Sequence, residues 1–151
     1  MRTYVRKAVL ADVPDVIDMQ RELMIHHGRQ PTEALNEGVI ASVTAKEYWL
    51  ITTYETGDRR ELLLGCSRLA LVRSDWNGGY WGMMDSVYVK PPYRRLGLAS
   101  RMLREIESSK VATAGLFMFV QHDNKVAMKT WHSLGFKEST HYTQLEKGCL
   151  Q

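Results

Sequence analysis

The chain has 151 residues, of which 44% are apolar and 25% charged, with a net charge of +3 and a sequence pI of about 8.9. That length suits one domain whose core needs no disulfide or metal staple. The small, dispersed charge suits an anionic ligand and argues against nucleic acid as a partner. Cys66 and Cys149 lack metal-ligand spacing, the first residues lack an apolar signal core, and no apolar run reaches membrane-spanning length. The expectation is therefore a cytoplasmic protein with free thiols, no metal and no membrane contact.

In chain order, Thr3 to Val9 alternates weakly and predicts a strand. Asp12 stands as an N-cap, followed by Pro14 and Asp15 in a first helical turn. Val13, Val16, Ile17, Leu23 and Met24 share a helical face that Gln20 interrupts, and His26, His27 and Gly28 mark its end. Thr32 to Ser42 predicts a short second helix. Tyr48 to Tyr54 is aromatic and β-branched, as strands are, and Gly57 to Arg60 is a turn. Leu62 to Val72 is the return strand, with Gly65 as a bulge candidate. The Asn77-Gly78 turn leads into a strand from Tyr80 to Val89. Short turns imply that these strands pair antiparallel.

The stretch from Asp85 to Ser100 carries the chemistry. Val87-Tyr88-Val89 is strand-like, Pro91 and Pro92 end it, and a helix runs from after Gly97 to about Lys110, with Leu98, Met102 and Ile106 in one stripe. Between strand and helix lies Arg94-Arg95-Leu96-Gly97-Leu98-Ala99. Free N–H groups at a helix start form an anion site, and a glycine admits a phosphate to the backbone. Two arginines add fixed positive charge. The apolar run Leu116 to Val120 follows and predicts a strand buried on both faces after a βαβ crossover. Val126, Ala127, Thr130, Trp131 and Leu134 then form a helical stripe, with Gly135 as its cap. Two final short strands are expected at Lys137 to Ser139 and Tyr142 to Lys147.

The stretch ending at Ala99 resembles the acetyl-CoA-binding segment of the GNAT superfamily of N-acetyltransferases: apolar strand, Val-x-Pro, an aromatic, then Arg/Gln-x-x-Gly-x-Gly/Ala. Here it stands as Val89-Lys90-Pro91, Tyr93, and Arg94 to Ala99. The segment Asn124, Ala127, Trp131, Gly135-Phe136 is similar to the family's Asn-x-x-Ala-x-x-x-Tyr-x-x-x-Gly-Phe. The two motifs cover roughly the last 65 residues; the N-terminal half matches in element order only. The resemblance implies an α/β fold, with a mixed, twisted sheet of six or seven strands flanked by helices and a parallel pair splayed around the cofactor. Residues 1–151 would be a single N-acetyltransferase domain.

The activity implied is acetyl transfer from acetyl-CoA, with no metal, to an amine on a small molecule or protein. Family analogy suggests a homodimer. The alternative is a non-catalytic acyl-CoA-binding module of the same fold. The resemblance assigns the pantetheine track to Val87-Tyr88-Val89, through the backbone of Val87 and Val89. It assigns the phosphate cradle to Arg94, Arg95, Leu96, Gly97, Leu98, Ala99 and Ser100, a cofactor hydrogen bond to Asn124, and the thiol end to Trp131.

An amine of pKa about 10.4 must lose a proton before attack, so a base or water relay is useful. Asp85, a carboxylate in an apolar strand, is the first candidate; by plain alternation it shares a face with Val87 and Val89, unless a bulge intervenes. The other reading makes it a structural partner of an arginine. His26 and His27 are further base candidates, or helix-end surface residues. Tyr48, Trp49, Trp76 and Trp81 either line an acceptor pocket or are ordinary sheet aromatics. Trp131 departs from the family, whose Tyr there is read as the acid for the leaving thiolate; an indole N–H donates a hydrogen bond but no proton. Tyr142 is a weak substitute donor.

Overall fold

The computed structural model describes residues 2–54 and 61–148; the expected turn at Gly57 to Arg60 and Cys149 lie outside them. The described chain divides into two compact units, one ending at Phe119 and the other starting at Val120.

The first unit is built on a five-stranded sheet. Thr3–Lys7 (β1), Tyr48–Tyr54 (β2), Glu61–Ser74 (β3), Gly79–Val89 (β4) and Gly115–Met118 (β5) lie in the order β1-β2-β3-β4-β5. The first four pair antiparallel and β4 pairs with β5 in parallel. Short connections dictate the antiparallel pairing of β2 with β3 and of β3 with β4, and a crossover helix the parallel pair. That helix is Leu98–Ser109 (α3). Val13–His26 (α1) and Glu33–Thr44 (α2) precede β2.

The alternating pleat sorts the core. Leu50, Cys66 and Tyr88 lie with Val16 and Met19 of α1 and Val39 and Val43 of α2 in one buried cluster. Ile51 and Leu64 are equally buried, and Ile51, one residue on from Leu50, points to the opposite face. The buried stripe Leu98, Met102, Leu103 and Ile106 belongs to α3, which packs on β1, β2 and β4. Gly28 ends α1 with φ +73°, and Arg29 N–H returns to Met24 O at 2.9 Å, the expected glycine cap.

Asp12 precedes α1, but its side chain does not cap that helix. Its carboxylate accepts from Val9 N at 2.7 Å and from both Arg6 terminal nitrogens, at 2.7 and 2.9 Å. Arg6 also reaches Glu61 at 2.6 Å, tying β1 to β3. The Arg6 hydrogen bonds hold the Asp12 carboxyl below its ordinary pKa, although burial opposes them. A depressed carboxylate stabilises the fold fully above its unfolded pKa of about 3.9, and loses that contribution as pH falls through the folded value. Asp12→Ala should therefore cost about 2 kcal/mol at pH 7. Thermal midpoints followed from pH 7 to pH 2 should show the deficit closing below about pH 4; a constant deficit would exclude the ion pair as its source.

Three expectations are corrected. The sheet of the described residues has five strands rather than six or seven. Residues 137–148 join no ladder among the described residues, and Tyr142 and Leu145 are exposed at 81% and 90%. An alternating pattern makes a strand only where it finds a ladder partner and a face to bury. The apolar run Leu116 to Val120 is likewise not buried on both faces. Among the described residues β5 is half-buried at the sheet edge with β4 as its single neighbour, and Phe119 is 63% exposed. Continuous apolarity does not distinguish a central strand from an edge.

In the second unit, Asn124 caps Lys125–Ser133 (α4), its Oδ1 accepting from Ala127 N at 3.1 Å. Gly135 has φ +97°, and Phe136 N–H bonds Trp131 O at 3.0 Å. The two rings meet edge to face, 5.7 Å apart. Trp131 is buried, whereas Val126, expected on the same stripe, is exposed.

Candidate functional site

The loop between β4 and α3 has an unusual backbone. Arg95 has φ +61° and Gly97 +74°, two left-handed residues flanking Leu96. The first helical bond of α3 runs from Arg101 N to Gly97 O, and Gly97 offers no side-chain cap. Among the described residues, the amides of Arg95 through Ser100 have no hydrogen-bond acceptor. Successive free N–H groups around left-handed residues, at the positive end of a three-turn helix, form a concave anion site. A Cβ added at Gly97 would meet no protein atom within 4 Å, so the space beside that backbone is open.

Arg94 is fixed beside this loop. Its Nε donates to Val89 O at 2.8 Å, and its guanidinium carbon lies 5.5 Å from the Tyr88 ring centre. The Tyr88 hydroxyl donates to the Glu22 carboxylate on α1. Burial, and then that carboxylate, push the Tyr88 phenol up to about 12, so it stays protonated.

β4 is bulged just before the loop. Arg68 faces Asp85 and Cys66 faces Tyr88, so β4 spends one more residue than β3 over that interval. Ser86, in the bulge, has φ +54°. Cys66 and Arg68 are two apart and share a face, so Asp85 shares a face with Tyr88 rather than with Val87 and Val89. Plain alternation therefore fails here, as the bulge proviso anticipated. The parallel ladder ends at Met84 and Met118, and β4 continues from Asp85 to Val89 with no β5 partner.

Asp85 is engaged. Its Oδ1 accepts from Arg68 Nε at 2.8 Å and its Oδ2 from Arg68 Nη2 at 3.0 Å. Glu47 lies 3.4 Å from the same guanidinium. His26 and His27 close α1 with their rings 5.9 Å apart. Of the four aromatics considered for an acceptor pocket, Tyr48 is buried in the core, Trp49 lies under Lys7, Trp76 is 96% exposed beyond β3, and Trp81 on β4 is 37% exposed. Cys66 is buried, and burial pushes its thiol up to about 12, which suits an inert core residue.

The chain matches the model of the acetyltransferase (GNAT) family over residues 15–136. That match covers both motifs and most of the sequence. The chain belongs to the GNAT family. Its fold recurs in a possible acetyltransferase from Clostridium difficile 630, with TM-score 0.86 and 21% identity over 100% of each chain. It recurs in the aminoglycoside N-acetyltransferase AAC(6')-Iy in complex with a CoA bisubstrate analogue, with TM-score 0.73 and 14% identity over 99% of this chain and 100% of the other. A predicted acetyltransferase with acetyl-CoA from Clostridium acetobutylicum matches with TM-score 0.69 and 15% identity over 96% of each chain.

For a GNAT chain, the motif residues Val87 to Ser100 lie together as one strand, loop and helix start. Asn124 and Trp131 lie in the second unit. Sequence reasoning missed Arg68, Glu22 and the role of Gln20. Gln20 is buried at 4% exposure and donates to Ser86 O at 3.0 Å. Only its interruption of an apolar face signalled it. Among the described residues no helix is long and apolar enough to cross a membrane, and no three His, Cys, Asp or Glu side chains group as metal ligands.

Proposed function

We propose that this GNAT protein transfers the acetyl group of acetyl-CoA to an amine by direct attack. The observation that supports it is the loop from Arg95 to Ser100, whose free amides and open Gly97 suit a pyrophosphate. In this reading the edge of β4 at Val87 and Val89, which has no β5 partner beyond Met84, pairs with the pantetheine amides as a neighbouring strand would, although Val89 O already accepts from Arg94 Nε. Arg94 and Arg95 supply charge to the phosphates. Asn124 and Trp131 enter on the family motif: Asn124 keeps its cap and offers its Nδ2, and Trp131 covers the thiol end. Residues 1–151 act as one acetyltransferase domain in the cytoplasm, on a small-molecule or protein amine, and family analogy suggests a homodimer.

Asp85 is the proposed proton acceptor. Both its oxygens are held by Arg68, so an incoming ammonium must displace one of those bonds or deliver its proton through water. The test is thiol release from acetyl-CoA with a panel of amines, run beside calorimetric CoA binding. Turnover with at least one amine supports the transferase. Binding without turnover favours the non-catalytic module, which Trp131 at the family's Tyr position keeps in play.

Trp131 gives a second test. A thiolate of pKa about 8.5 leaves well and is reprotonated by water, so no protein acid is required. Trp131→Phe should retain CoA binding and keep kcat within about fivefold, because both rings pack against Phe136. A collapse of kcat with intact folding and CoA binding would show that the indole N–H takes part.

A further inference from the structure

Of the three buried residues of α1, Gln20 is the polar one. A buried side-chain amide needs partners, and a bulge carbonyl that leaves the ladder needs a donor. The two needs meet: Gln20 Nε2 donates to Ser86 O at 3.0 Å and to Cys66 Sγ at 3.2 Å. Ser86 is held at φ +54°, a conformation costly for any residue with a Cβ and kept only where the surroundings impose it. The same helix grips β4 again two residues on, where the Tyr88 hydroxyl donates to Glu22. Val87 lies between these two attachments.

We propose that Gln20 is a positioning residue for acetyl-CoA. By holding the Ser86 carbonyl it fixes the bulge, and the bulge turns the backbone of Val87 and Val89 toward the cofactor. Gln20 touches no reacting atom and acts through the strand. The inference rests on the acetyl-CoA reading of Val87 and Val89, and adds to it the group that sets their geometry.

Gln20→Met keeps the volume and removes the donor. It should raise the CoA dissociation constant and the acetyl-CoA KM roughly tenfold, with kcat at saturating acetyl-CoA within about threefold of wild type. Backbone chemical shifts from Ser86 to Val89 should move in the ligand-free protein. Combining it with Ser86→Gly should return the affinity to within about threefold, because glycine adopts a positive φ without being held there. A purely packing role for Gln20 predicts no such rescue. Wild-type affinity and unmoved shifts in Gln20→Met would overturn the inference, as would a loss that Ser86→Gly does not relieve. Should Gln20→Met not fold, Gln20→Leu also lacks a donor and is read by the same criteria. A wild-type protein that fails to bind CoA would instead sink the acetyl-CoA reading, while the shifts still report whether Gln20 sets the bulge.

Discussion

Gly97→Val should raise the dissociation constant for CoA about 100-fold. Two effects combine, and a second substitution separates them. Gly97 has φ +74°, which a β-branched residue adopts only at a cost of roughly 1–3 kcal/mol. The valine side chain would also stand where a phosphate approaches the free amides, although no protein atom lies within 4 Å of its Cβ. Gly97→Asn keeps the second effect and nearly removes the first, because asparagine tolerates the left-handed region. Its thermal midpoint should stay near wild type while CoA affinity still drops about tenfold. Calorimetry with CoA and a melting curve for each variant decide the matter. Arg94→Ala should raise the acetyl-CoA KM more than it lowers kcat, since phosphate contacts are alike in ground and transition states. Normal CoA affinity in folded Gly97 and Arg94 variants would remove the cradle from this loop.

The parts of this site that could be read from the sequence are those made by neighbours in the chain. The strand from Tyr48 to Tyr54 emerges with its expected bounds, because composition alone marks it. The cap at Gly28 is a local need of a positive φ, and it is met, whereas the positive φ of Gly97, a residue read only as leaving room for a phosphate, is a finding of the structure. The bulge at Ser86 is different in kind. Nothing in Asp-Ser-Val-Tyr announces an extra residue; it follows from the register of β4 on β3 and from a donor on α1, 66 residues away in sequence. The Arg68 partner of Asp85 is hidden for the same reason, since it depends on which residues two strands place opposite each other. The edge position of β5 among the described strands, and the lack of a ladder over residues 137–148, depend on what lies beside them, which apolarity and alternation do not encode.

Asp85→Asn tests the proton acceptor, and the Arg68 pair makes the result more informative than a rate alone. Asparagine keeps the size and one acceptor oxygen, but it cannot accept the amine proton. If Asp85 takes that proton, kcat should fall by about 100-fold or more while CoA affinity stays near normal. The low-pH limb of the rate profile should change with it, because the proton acceptor is gone. If Asp85 serves only the ion pair, a different pattern follows. The Arg68 guanidinium, 24% exposed, would keep only the Glu47 contact at 3.4 Å. The thermal midpoint should then fall, and the rate should follow it by only a few-fold. Arg68→Ala is the companion variant, for it frees both Asp85 oxygens. A structural pair predicts the same midpoint loss from either side. A catalytic Asp85 predicts that Arg68→Ala retains a pH-dependent rate where Asp85→Asn does not. An Asp85→Asn enzyme with wild-type kcat and an unaltered profile would exclude the carboxylate as the base and leave the proton to a water relay.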